Sequence, residues 1–470
     1  MKGIRKSIKA LLWAFVIMFT VLAGYTAYTV TVNGSTWFIS SYNPRLANQK
    51  QNVVAGSILD RNYTVLAESQ TAGEREYHPD SVTRKAVSHV VGDPYGLAAT
   101  GVESFHAKYL LGFGGNVFER LYQSIVLHQR KGENVTTTID AQLCKYAYQQ
   151  LDGKNGAVVV MNYRTGEILC SVSTPGYDPT NMDAYRDLSD DDPASPLVNR
   201  VTMGRYTPGS VFKTITLAAV VKYQPELLAK TYSCAGSMDM DDSAITCAGK
   251  SRHGDQTVLE AYENSCNVAF AQIALDLGRD NVMKMAQEFG FNEEYLFSDL
   301  IAYKSSYETS DKDLDFCWSA IGQYKDTSTP LQMCMVAATI ANDGIMMEPK
   351  LVKSIINARG YEYNKITPKT LKTVMSPENA QVIREYMISA VTDGLGGRAA
   401  VSGYTVGGKT GSAEVSDDKS VPTHAWYNGF IYDDKSPLAI AVIVEHGGSG
   451  GRTAAPIAGA VLKKAVELGY

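Results

Sequence analysis

The first 59 residues of this 470-residue chain contain no aspartate or glutamate, although they include six lysines and arginines. The remaining residues hold all 49 acidic groups against 38 basic ones, a net charge of −11. The net charge of the whole chain, −5, argues against a general nucleic-acid binder, which presents a basic surface to phosphates. An acidic body therefore follows a basic tip, and we do not expect nucleic acid as a partner.

Long apolar runs are also scarce, and the one that could cross a membrane lies directly after this tip. Residues Ala10–Val32 are mostly apolar, and no charge occurs between Lys9 and Arg45. At about 1.5 Å per residue, such a helix spans a hydrocarbon core of about 30 Å. Four basic residues precede it, so the positive-inside rule predicts a cytoplasmic N-terminus and an extracytoplasmic body. A cleaved signal peptide is the alternative, but the lack of a clear small-x-small cleavage site favours a single-pass anchor.

Cysteine is infrequent, and no pair has the C-x-x-C spacing of a metal or redox site. Among the seven cysteines, Cys234 and Cys247 flank a short polar loop and are the candidate disulfide outside the membrane. A bridge closing such a loop contributes about 3 kcal/mol in the chain-entropy model. The alternative is that all seven are small buried apolar residues. The seven histidines are scattered, so we expect neither a metal nor an organic cofactor.

The order of the predicted elements favours an α+β fold. A β-hairpin is predicted over 156–173, a helix-rich segment over 199–345, and three strands with short connections over 404–446. A helix over 454–468 follows. Strands at both ends of one domain predict a single antiparallel sheet flanked by helices. We divide the chain into an anchor with its cytoplasmic tip (1–36), a small N-terminal domain (37–140) and a main domain (141–470).

Two short motifs match known catalytic patterns but lack the surroundings that those patterns need. Residues Gly403–Thr410 fit the phosphate-binding loop G-x-x-x-x-G-K-T, yet a strand-like segment follows instead of a helix. Residues Gly447–Gly451 fit a nucleophile elbow around Ser449, yet no histidine and only one acid, Glu467, follow. We therefore interpret the second as a glycine-rich turn between a strand and a helix, and we set the first aside.

A third motif, Ser210-x-x-Lys213, has suitable surroundings. Pro208 and Gly209 break the chain just before an apolar helix, so Ser210 falls in its first turn. Lys213 then lies on the same helix face, one turn further on. A serine within reach of a lysine is a nucleophile–base pair. Burial and a second cation lower the pKa of a lysine, so Lys213 can accept the serine proton near neutral pH.

Two later motifs complete a known set. Ser265-x-Asn267 lies between helical stretches, and the segment Lys409–Ser412 (KTGS) lies on a predicted strand. The ordered set S-x-x-K, S-x-N and K-T-G, with separations of 55 and 144 residues here, is the signature of penicillin-recognising serine enzymes. Taken singly, each motif has an ordinary alternative, such as a helix cap for Ser265 or a solvated strand lysine for Lys409.

With these motifs, the chain resembles the class B penicillin-binding proteins, which are monofunctional peptidoglycan D,D-transpeptidases. Residues Ala55–Asn62 resemble the juxtamembrane motif of that family, except that Ala55 replaces its usual Arg and Tyr63 its usual Gly. Residues Thr100–Glu103 resemble a later motif of the family's pedestal domain, and Tyr206–Lys213 is very close to its nucleophile segment. The short pedestal resembles the compact elongation or division type of Gram-positive lineages. It leaves no room for a glycosyltransferase domain, so that activity is not expected.

The resemblance implies a transpeptidase fold, in which an antiparallel sheet is accompanied by an all-helical subdomain. It implies that Ser210 attacks the carbonyl between the two terminal D-alanines of a stem peptide, with Lys213 as the base. Ser265 then relays a proton to the leaving amine, and Lys409 supports this relay and the substrate carboxylate. The residues that it implies for substrate binding are Asn267, Thr410, Gly411 and Ser412. The backbone N–H groups of Ser210 and Ser412 correspond to the oxyanion hole.

The partners that follow are a donor stem peptide, an acceptor amine on a neighbouring stem peptide, and β-lactams that acylate Ser210. A membrane glycosyltransferase of the elongation or division complex is a further implied partner. A β-lactamase or D,D-carboxypeptidase uses the same motifs but releases the acyl group to water. A catalytically silent scaffold is the other alternative, against which the intact Ser210, Lys213 and Lys409 argue.

Overall fold

The computed structural model describes residues 2–39, 50–114, 130–188, 194–240, 243–416, 418 and 420–470. Residues Lys2–Ile39 form one helix, within which Gly3–Thr26 is long and apolar enough to cross a membrane. Large apolar side chains of this segment, such as Leu12 and Phe19, are exposed. An apolar helix without protein neighbours needs an apolar surrounding, so Gly3–Thr26 is a candidate membrane span.

A five-stranded sheet forms the centre of the body. Its strand order is Val406–Ala413, His424–Ile431, Leu438–Val444, Gly156–Asn162 and Ile168–Thr174, and every neighbouring pair is antiparallel. The last strand in the chain, Leu438–Val444, therefore pairs with Gly156–Asn162, which comes first in the chain among the five, and Val442 lies opposite Val158. This arrangement confirms the predicted antiparallel sheet assembled from both ends of the main domain.

Helices cover both faces of this sheet, since every residue of its middle strand, Leu438–Val444, is buried. The helices Ala141–Leu151 and Ala454–Glu467 pack against each other and against the sheet. The helix Pro330–Ala341 is entirely buried and contacts three of the strands. A strand covered on both sides reads as a continuous apolar run rather than an alternating pattern, as the sequence LAIAVIV shows.

The middle of the chain supplies the helical subdomain. Its helices are Lys213–Tyr223, Val258–Glu263, Asn267–Leu277, Arg279–Glu288 and Asp313–Ala320. The helix Pro377–Thr392 follows later in the chain. A small β region interrupts the subdomain helices, with the strands Thr231–Cys234, Ser237–Met240, Ser243–Thr246 and Gly254–Thr257. Single 3₁₀ turns occur at Met182–Tyr185, Gly209–Phe212, Pro225–Ala229, Ala248–Lys250 and Gly397–Ala399.

A second sheet joins the N-terminal region to the main domain. Its strand order is Glu362–Tyr363, Val352–Ile356, Asn134–Thr137, Ile58–Leu59, Val65–Glu68 and Glu76–Tyr77. Two of these strands come from residues 352–363, so residues 37–140 do not complete their own sheet. The division at residue 140 stays a prediction. Shorter elements here are the strand pairs Val53–Val54 with Arg130–Lys131 and Ile345–Met347 with Thr370–Thr373, and the helices Ser81–Ala86, Ser88–Val91, Val102–Phe105 and Ala107–Leu110.

The two family-like motifs of the N-terminal region meet through one arginine. Arg75 Nε donates to Glu103 Oε1 at 2.5 Å, and Arg75 Nη1 donates to the carbonyl of Gly56 at 2.9 Å. Nearby, Asp60 Oδ1 accepts from the backbone N–H groups of two following residues. Tyr63 lies in this turn with φ of +65°, a left-handed conformation that glycine adopts without cost.

Candidate active site

Ser210 lies in a rigid turn at the start of a helix. The 3₁₀ turn Gly209–Phe212 continues directly into the helix Lys213–Tyr223. Gly209 has φ of +59°, and its N–H donates to the carbonyl of Gly322 at 2.7 Å. This left-handed backbone explains the need for glycine immediately before the serine. Together, these contacts hold Ser210, which is half-buried, at the edge of the main sheet.

The segment before this turn is held by the central sheet. The indole Nε1–H of Trp426, a fully buried residue, donates to the carbonyl of Thr207 at 3.0 Å. The sequence offers no motif that assigns this task to Trp426, so the contact was visible only in the structure.

Lys213 is fully buried and extends between two partners of the second motif. Its Nζ donates to the carbonyl of Ser265 at 2.6 Å and to Asn267 Oδ1 at 2.7 Å, and it lies 3.4 Å from Ser265 Oγ. Burial lowers the pKa of Lys213 to about 8, although the nearby Cys266 and Cys247 thiols oppose this effect. Because its pKa is close to neutral, this amine can accept a proton from a neighbouring hydroxyl.

The second motif occupies a short loop between two helices. The preceding helix starts with a capping box at Thr257 and ends at Glu263. The chain then reverses at Ser265, whose φ is +54°, and Cys266 caps the helix that starts at Asn267. Asn267 Nδ2 donates to the carbonyl of Thr246 at 2.8 Å, so its Oδ1 is left to accept from the lysine. The loop therefore presents three acceptor atoms to one amine.

Lys409 is the second buried lysine of the site. It lies on the strand Val406–Ala413, opposite Asn428, and its Nζ is 5.5 Å from the centroid of the Tyr262 ring. Burial lowers the pKa of Lys409 well below its usual value, and the charge of Lys213 lowers it further. Two lysines therefore share a site in which neither has an acidic partner among the described residues.

The strand that carries the third motif runs directly beside the nucleophile turn. A Cβ at Gly411 would lie 3.1 Å from the carbonyl oxygen of Pro208, and a Cβ at Gly209 would lie 3.0 Å from the Cβ of Ala413. Thr410 is buried, whereas Ser412 is exposed. The structure therefore brings together all the residues of the three motifs that the sequence predicts. Their individual roles remain predictions.

A buried ion pair holds the segment that precedes the nucleophile turn. Arg200 Nε and Glu445 Oε1 are 2.6 Å apart, and the Tyr206 hydroxyl donates to the same carboxylate oxygen at 2.7 Å. Tyr206 lies four residues before the nucleophile, and Glu445 directly follows the strand Leu438–Val444. Tyr206 belongs to the segment that resembles the family's nucleophile segment, but Glu445 had no recognisable signal in the sequence.

Glycines in the two rejected motifs allow neighbouring strands and side chains to pack closely. Residues 406–413 form a strand rather than a loop followed by a helix. A Cβ at Gly407 would lie 2.4 Å from the Phe430 ring, and one at Gly408 would lie 2.1 Å from the Tyr427 hydroxyl. A Cβ at Gly450 would lie 2.2 Å from the carbonyl oxygen of Gly411. These positions need glycine because neighbouring strands and rings approach closely.

All seven cysteines are buried and unbridged in the structure. Cys234 Sγ and Cys247 Sγ are 3.7 Å apart. The disulfide between them stays a prediction.

Comparison with known proteins agrees with this geometry. A family model described as penicillin binding protein transpeptidase domain matches residues 156–463. The chain is 35% identical to the peptidoglycan D,D-transpeptidase PbpA of Mycolicibacterium smegmatis over 405 residues, which cover 80% of this chain and 81% of that protein. It is also 29% identical to the stage V sporulation protein D of Bacillus subtilis, over 82% of this chain and 63% of that protein.

Solved structures give the same result. The ceftriaxone acyl-enzyme complex of penicillin-binding protein A from M. tuberculosis has a TM-score of 0.80 and 28% identity, covering 89% of this chain and 100% of that one. A D,D-transpeptidase domain from Eggerthella lenta has a TM-score of 0.77 and 29% identity, covering 89% and 99%. The chain therefore belongs to the penicillin-binding protein transpeptidases, as a class B member. It is a peptidoglycan D,D-transpeptidase of that family, as its motifs indicated.

Proposed function

We propose that Ser210 carries the acyl group in a transpeptidation reaction and that Lys213 is its base. The observation that carries this proposal is the burial of the Lys213 amine between Ser265 and Asn267, one helical turn from the serine. Ser210 Oγ attacks the carbonyl carbon between the two terminal D-alanines of the donor, and its proton passes to Lys213 Nζ. General-base assistance of this kind contributes about 10²–10⁴-fold to a rate.

The acyl-enzyme forms when the bond between the two D-alanines breaks. Ser265 delivers its hydroxyl proton to the leaving amine of the terminal D-alanine and regains a proton from Lys213 Nζ, which lies 3.4 Å from Ser265 Oγ. Ser210 retains the remaining peptide as an ester. The amine of a neighbouring stem peptide then attacks this ester, the cross-link forms, and Ser210 regains its proton. Backbone N–H groups of Ser210 and Ser412 stabilise the oxyanion in both steps, an effect worth about 3–4 kcal/mol for a single donor in a related chemistry.

Lys409 binds the terminal carboxylate of the donor, together with the hydroxyls of Thr410 and Ser412. A buried lysine with a lowered pKa gains its proton readily when an anion arrives, because the opposite charge favours the charged form. Gly411 lets this strand pass close to the nucleophile turn and is the further proposed substrate-binding residue. β-Lactams present a carboxylate and a strained amide in the same arrangement, so they acylate Ser210 and inhibit the enzyme.

We further propose a single-pass topology, with a cytoplasmic tip and anchor (1–36), an N-terminal pedestal (37–140) and an extracytoplasmic transpeptidase domain (141–470). The four basic residues before the apolar segment support this orientation. A membrane glycosyltransferase of the elongation or division complex is the proposed partner, because cross-linking needs newly made glycan strands. Protease protection in inverted and right-side-out vesicles tests the orientation.

The test of the proposed function uses the full chain in detergent, incubated with a penicillin and followed by intact mass over time. We expect a long-lived adduct that maps to Ser210 and is absent from Ser210→Ala. An adduct that forms and disappears within seconds would identify a hydrolase instead. A folded protein that forms no adduct would contradict the assignment of Ser210 as the nucleophile.

A further inference from the structure

Four metal-ligating side chains converge beside the second motif. These are Cys234, Cys247, His253 and Cys266, whose candidate ligand atoms all lie within 4.8 Å of one another. The three cysteines are buried and the histidine is half-buried. In the sequence they follow the spacing C-x₁₂-C-x₅-H-x₁₂-C, which contains none of the close pairs that reveal a zinc site. The group is therefore recognisable only after folding.

Three of the six distances within this group match the edges of a coordination tetrahedron, and the others do not exceed 4.8 Å. Cys234 Sγ lies 3.7 Å from Cys247 Sγ and 3.4 Å from His253 Nδ1, and Cys247 Sγ lies 3.6 Å from Cys266 Sγ. Zinc bonds of about 2.3 Å to sulfur and about 2.0 Å to nitrogen, at tetrahedral angles, separate two sulfurs by about 3.8 Å and a sulfur from a nitrogen by about 3.5 Å. Bonded sulfurs, in contrast, are about 2.05 Å apart.

The surrounding backbone places each of these side chains. Cys234 ends a strand that pairs with Gly254–Thr257, and Gly254 opposes it, which brings His253 alongside. The N–H of Gly236 donates to Cys234 Sγ at 3.4 Å, and the N–H of Ala269 donates to Cys266 Sγ at 3.3 Å. Outer hydrogen bonds to ligand atoms are a regular feature of metal sites, where they orient the ligands.

We propose that Cys234, Cys247, His253 and Cys266 bind a structural zinc ion. Three thiolates and one imidazole form a closed four-coordinate set, which is typical of structural rather than catalytic zinc. A disulfide would use two of the sulfurs and leave the third, with the imidazole, unused in the same small space. A bound metal ion explains why the ligand atoms of all four side chains converge on one small volume.

The zinc site holds a catalytic loop in place. Cys266 lies between Ser265 and Asn267, the two residues that contact Lys213. Asn267 is also bonded to Thr246, the residue before Cys247. Zinc therefore fixes both supports of the loop at once. This inference goes beyond the proposed function. Zinc binding does not depend on whether Ser210 and Lys213 have the proposed catalytic roles.

The test measures the metal content of the full chain, purified in detergent with zinc and without chelator. We expect about one zinc ion per chain in the wild type, and its loss in Cys266→Ser and His253→Ala. The matched control is Cys317→Ala, because Cys317 is buried and lies outside the group. His253→Cys is expected to retain zinc, since four thiolates also form a structural site.

Several outcomes would overturn the proposal. These are a folded wild type that takes up no zinc, a Cys266→Ser variant that keeps it, or a Cys317→Ala variant that loses it. A Cys234–Cys247 disulfide in the non-reduced peptide map would replace zinc with a redox bridge. If the variants fail to fold, the zinc content of the wild type and the trapping of its thiols with and without chelator decide the question.

A second readout tests the link to catalysis. Removing zinc with a chelator is expected to slow acylation by penicillin by up to about 100-fold, because small displacements of catalytic groups are costly. Adding zinc back is expected to restore the rate. An unchanged rate in zinc-free protein would overturn the positioning role. A zinc-loaded protein that forms no penicillin adduct would instead contradict the proposed function and leave the metal site intact.

Discussion

Lys213 Nζ and Asn267 Oδ1 are 2.7 Å apart, although 54 residues of sequence separate them. The same Asn267 side chain donates from its Nδ2 to the carbonyl of Thr246. One amide therefore connects the catalytic helix to the small β region that carries the proposed zinc ligands. The acceptors around Lys213 come from the loop at Ser265–Asn267. The position of this loop depends on its contacts with the β region, such as the bond to Thr246.

The lowered pKa of Lys213 predicts the pH dependence of acylation. Its pKa of about 8 lies below the ordinary value for lysine, so the neutral amine that accepts a proton appears at lower pH than usual. The acylation rate constant for penicillin is expected to rise between about pH 7 and pH 9 and then level off. Lys213→Ala is expected to slow acylation by about 10²–10⁴-fold. A flat pH profile with full activity in Lys213→Ala would contradict the role of the base.

Asn267→Ala is expected to slow acylation because it removes one acceptor of Lys213 and the tie to Thr246. Losing a hydrogen bond to a charged or buried group costs about 1–3 kcal/mol, which corresponds to about 5–150-fold in rate. Stopped-flow acylation kinetics measure this loss. The matched control is Asn281→Ala, whose side chain donates to the carbonyl of Leu277 outside the site. Equal rates in the two variants would contradict this role for Asn267.

Trp426→Phe is expected to loosen the segment before the nucleophile. It keeps an aromatic ring but removes the N–H that donates to Thr207, and an unpaired buried carbonyl costs about 1–3 kcal/mol. Both the free energy of unfolding and the acylation rate are expected to fall. Tyr427→Phe is the control, since it removes a weak 3.5 Å bond to Gly407 and leaves Thr207 untouched. If both variants acylate equally slowly, the effect does not arise from the Thr207 contact.

Gly450→Ala is expected to destabilise the protein by about 1–3 kcal/mol. Its new Cβ would lie 2.2 Å from the carbonyl oxygen of Gly411, and the strand that carries the third motif would have to move. Gly397→Ala is the control, because its Cβ has ordinary contact at 3.4 Å from the nearest carbonyl oxygen, that of Val391. Thermal unfolding followed by circular dichroism distinguishes the two variants. Equal melting temperatures would show that the strand Val406–Ala413 accommodates the added methyl group without loss of stability.

Glu445→Gln is expected to cost about 3–5 kcal/mol of unfolding free energy, because it leaves the buried Arg200 without its charged partner. Urea denaturation measures this cost. The surface pair of Lys464 and Glu467, 3.8 Å apart, provides the control. Glu467→Gln is expected to cost less than about 1 kcal/mol. A similar small cost in both variants would show that Arg200 finds another partner.

The elements that the sequence predicted well are those in which local pattern and long-range packing agree. The hairpin over 156–173 and the strand Leu438–Val444 are rich in apolar residues and lie between turn residues. The structure contains these strands and the other two of the last three, Val406–Ala413 and His424–Ile431. The helix Pro377–Thr392 was not predicted. Its pattern mixes polar and apolar residues because it packs on the strand Val406–Ala413 with only part of its surface.

The site was predictable where chemistry fixes spacing along a helix or a strand. Ser210 and Lys213 share one helix turn, and the third motif occupies a single strand. The supports of the site were not predictable, because Trp426, Glu445 and Gly322 reach it only through tertiary packing. The same limit applies to the four zinc ligands, which converge through strand pairing rather than through sequence spacing.

The pairing of Gly156–Asn162 with Leu438–Val444 has a consequence for biosynthesis. Asn162 and Leu438 are opposite each other although more than half of the 470-residue chain separates them. Contacts so distant in sequence form late and slowly, and a strand that waits for its neighbour exposes unpaired backbone groups that attract other chains. Until Leu438–Val444 has been synthesised, one edge of the strand Gly156–Asn162 therefore has no partner strand. A truncation that removes Leu438–Val444 is therefore expected to leave the edges of two strands unpaired and to give an aggregation-prone chain rather than a partly active enzyme.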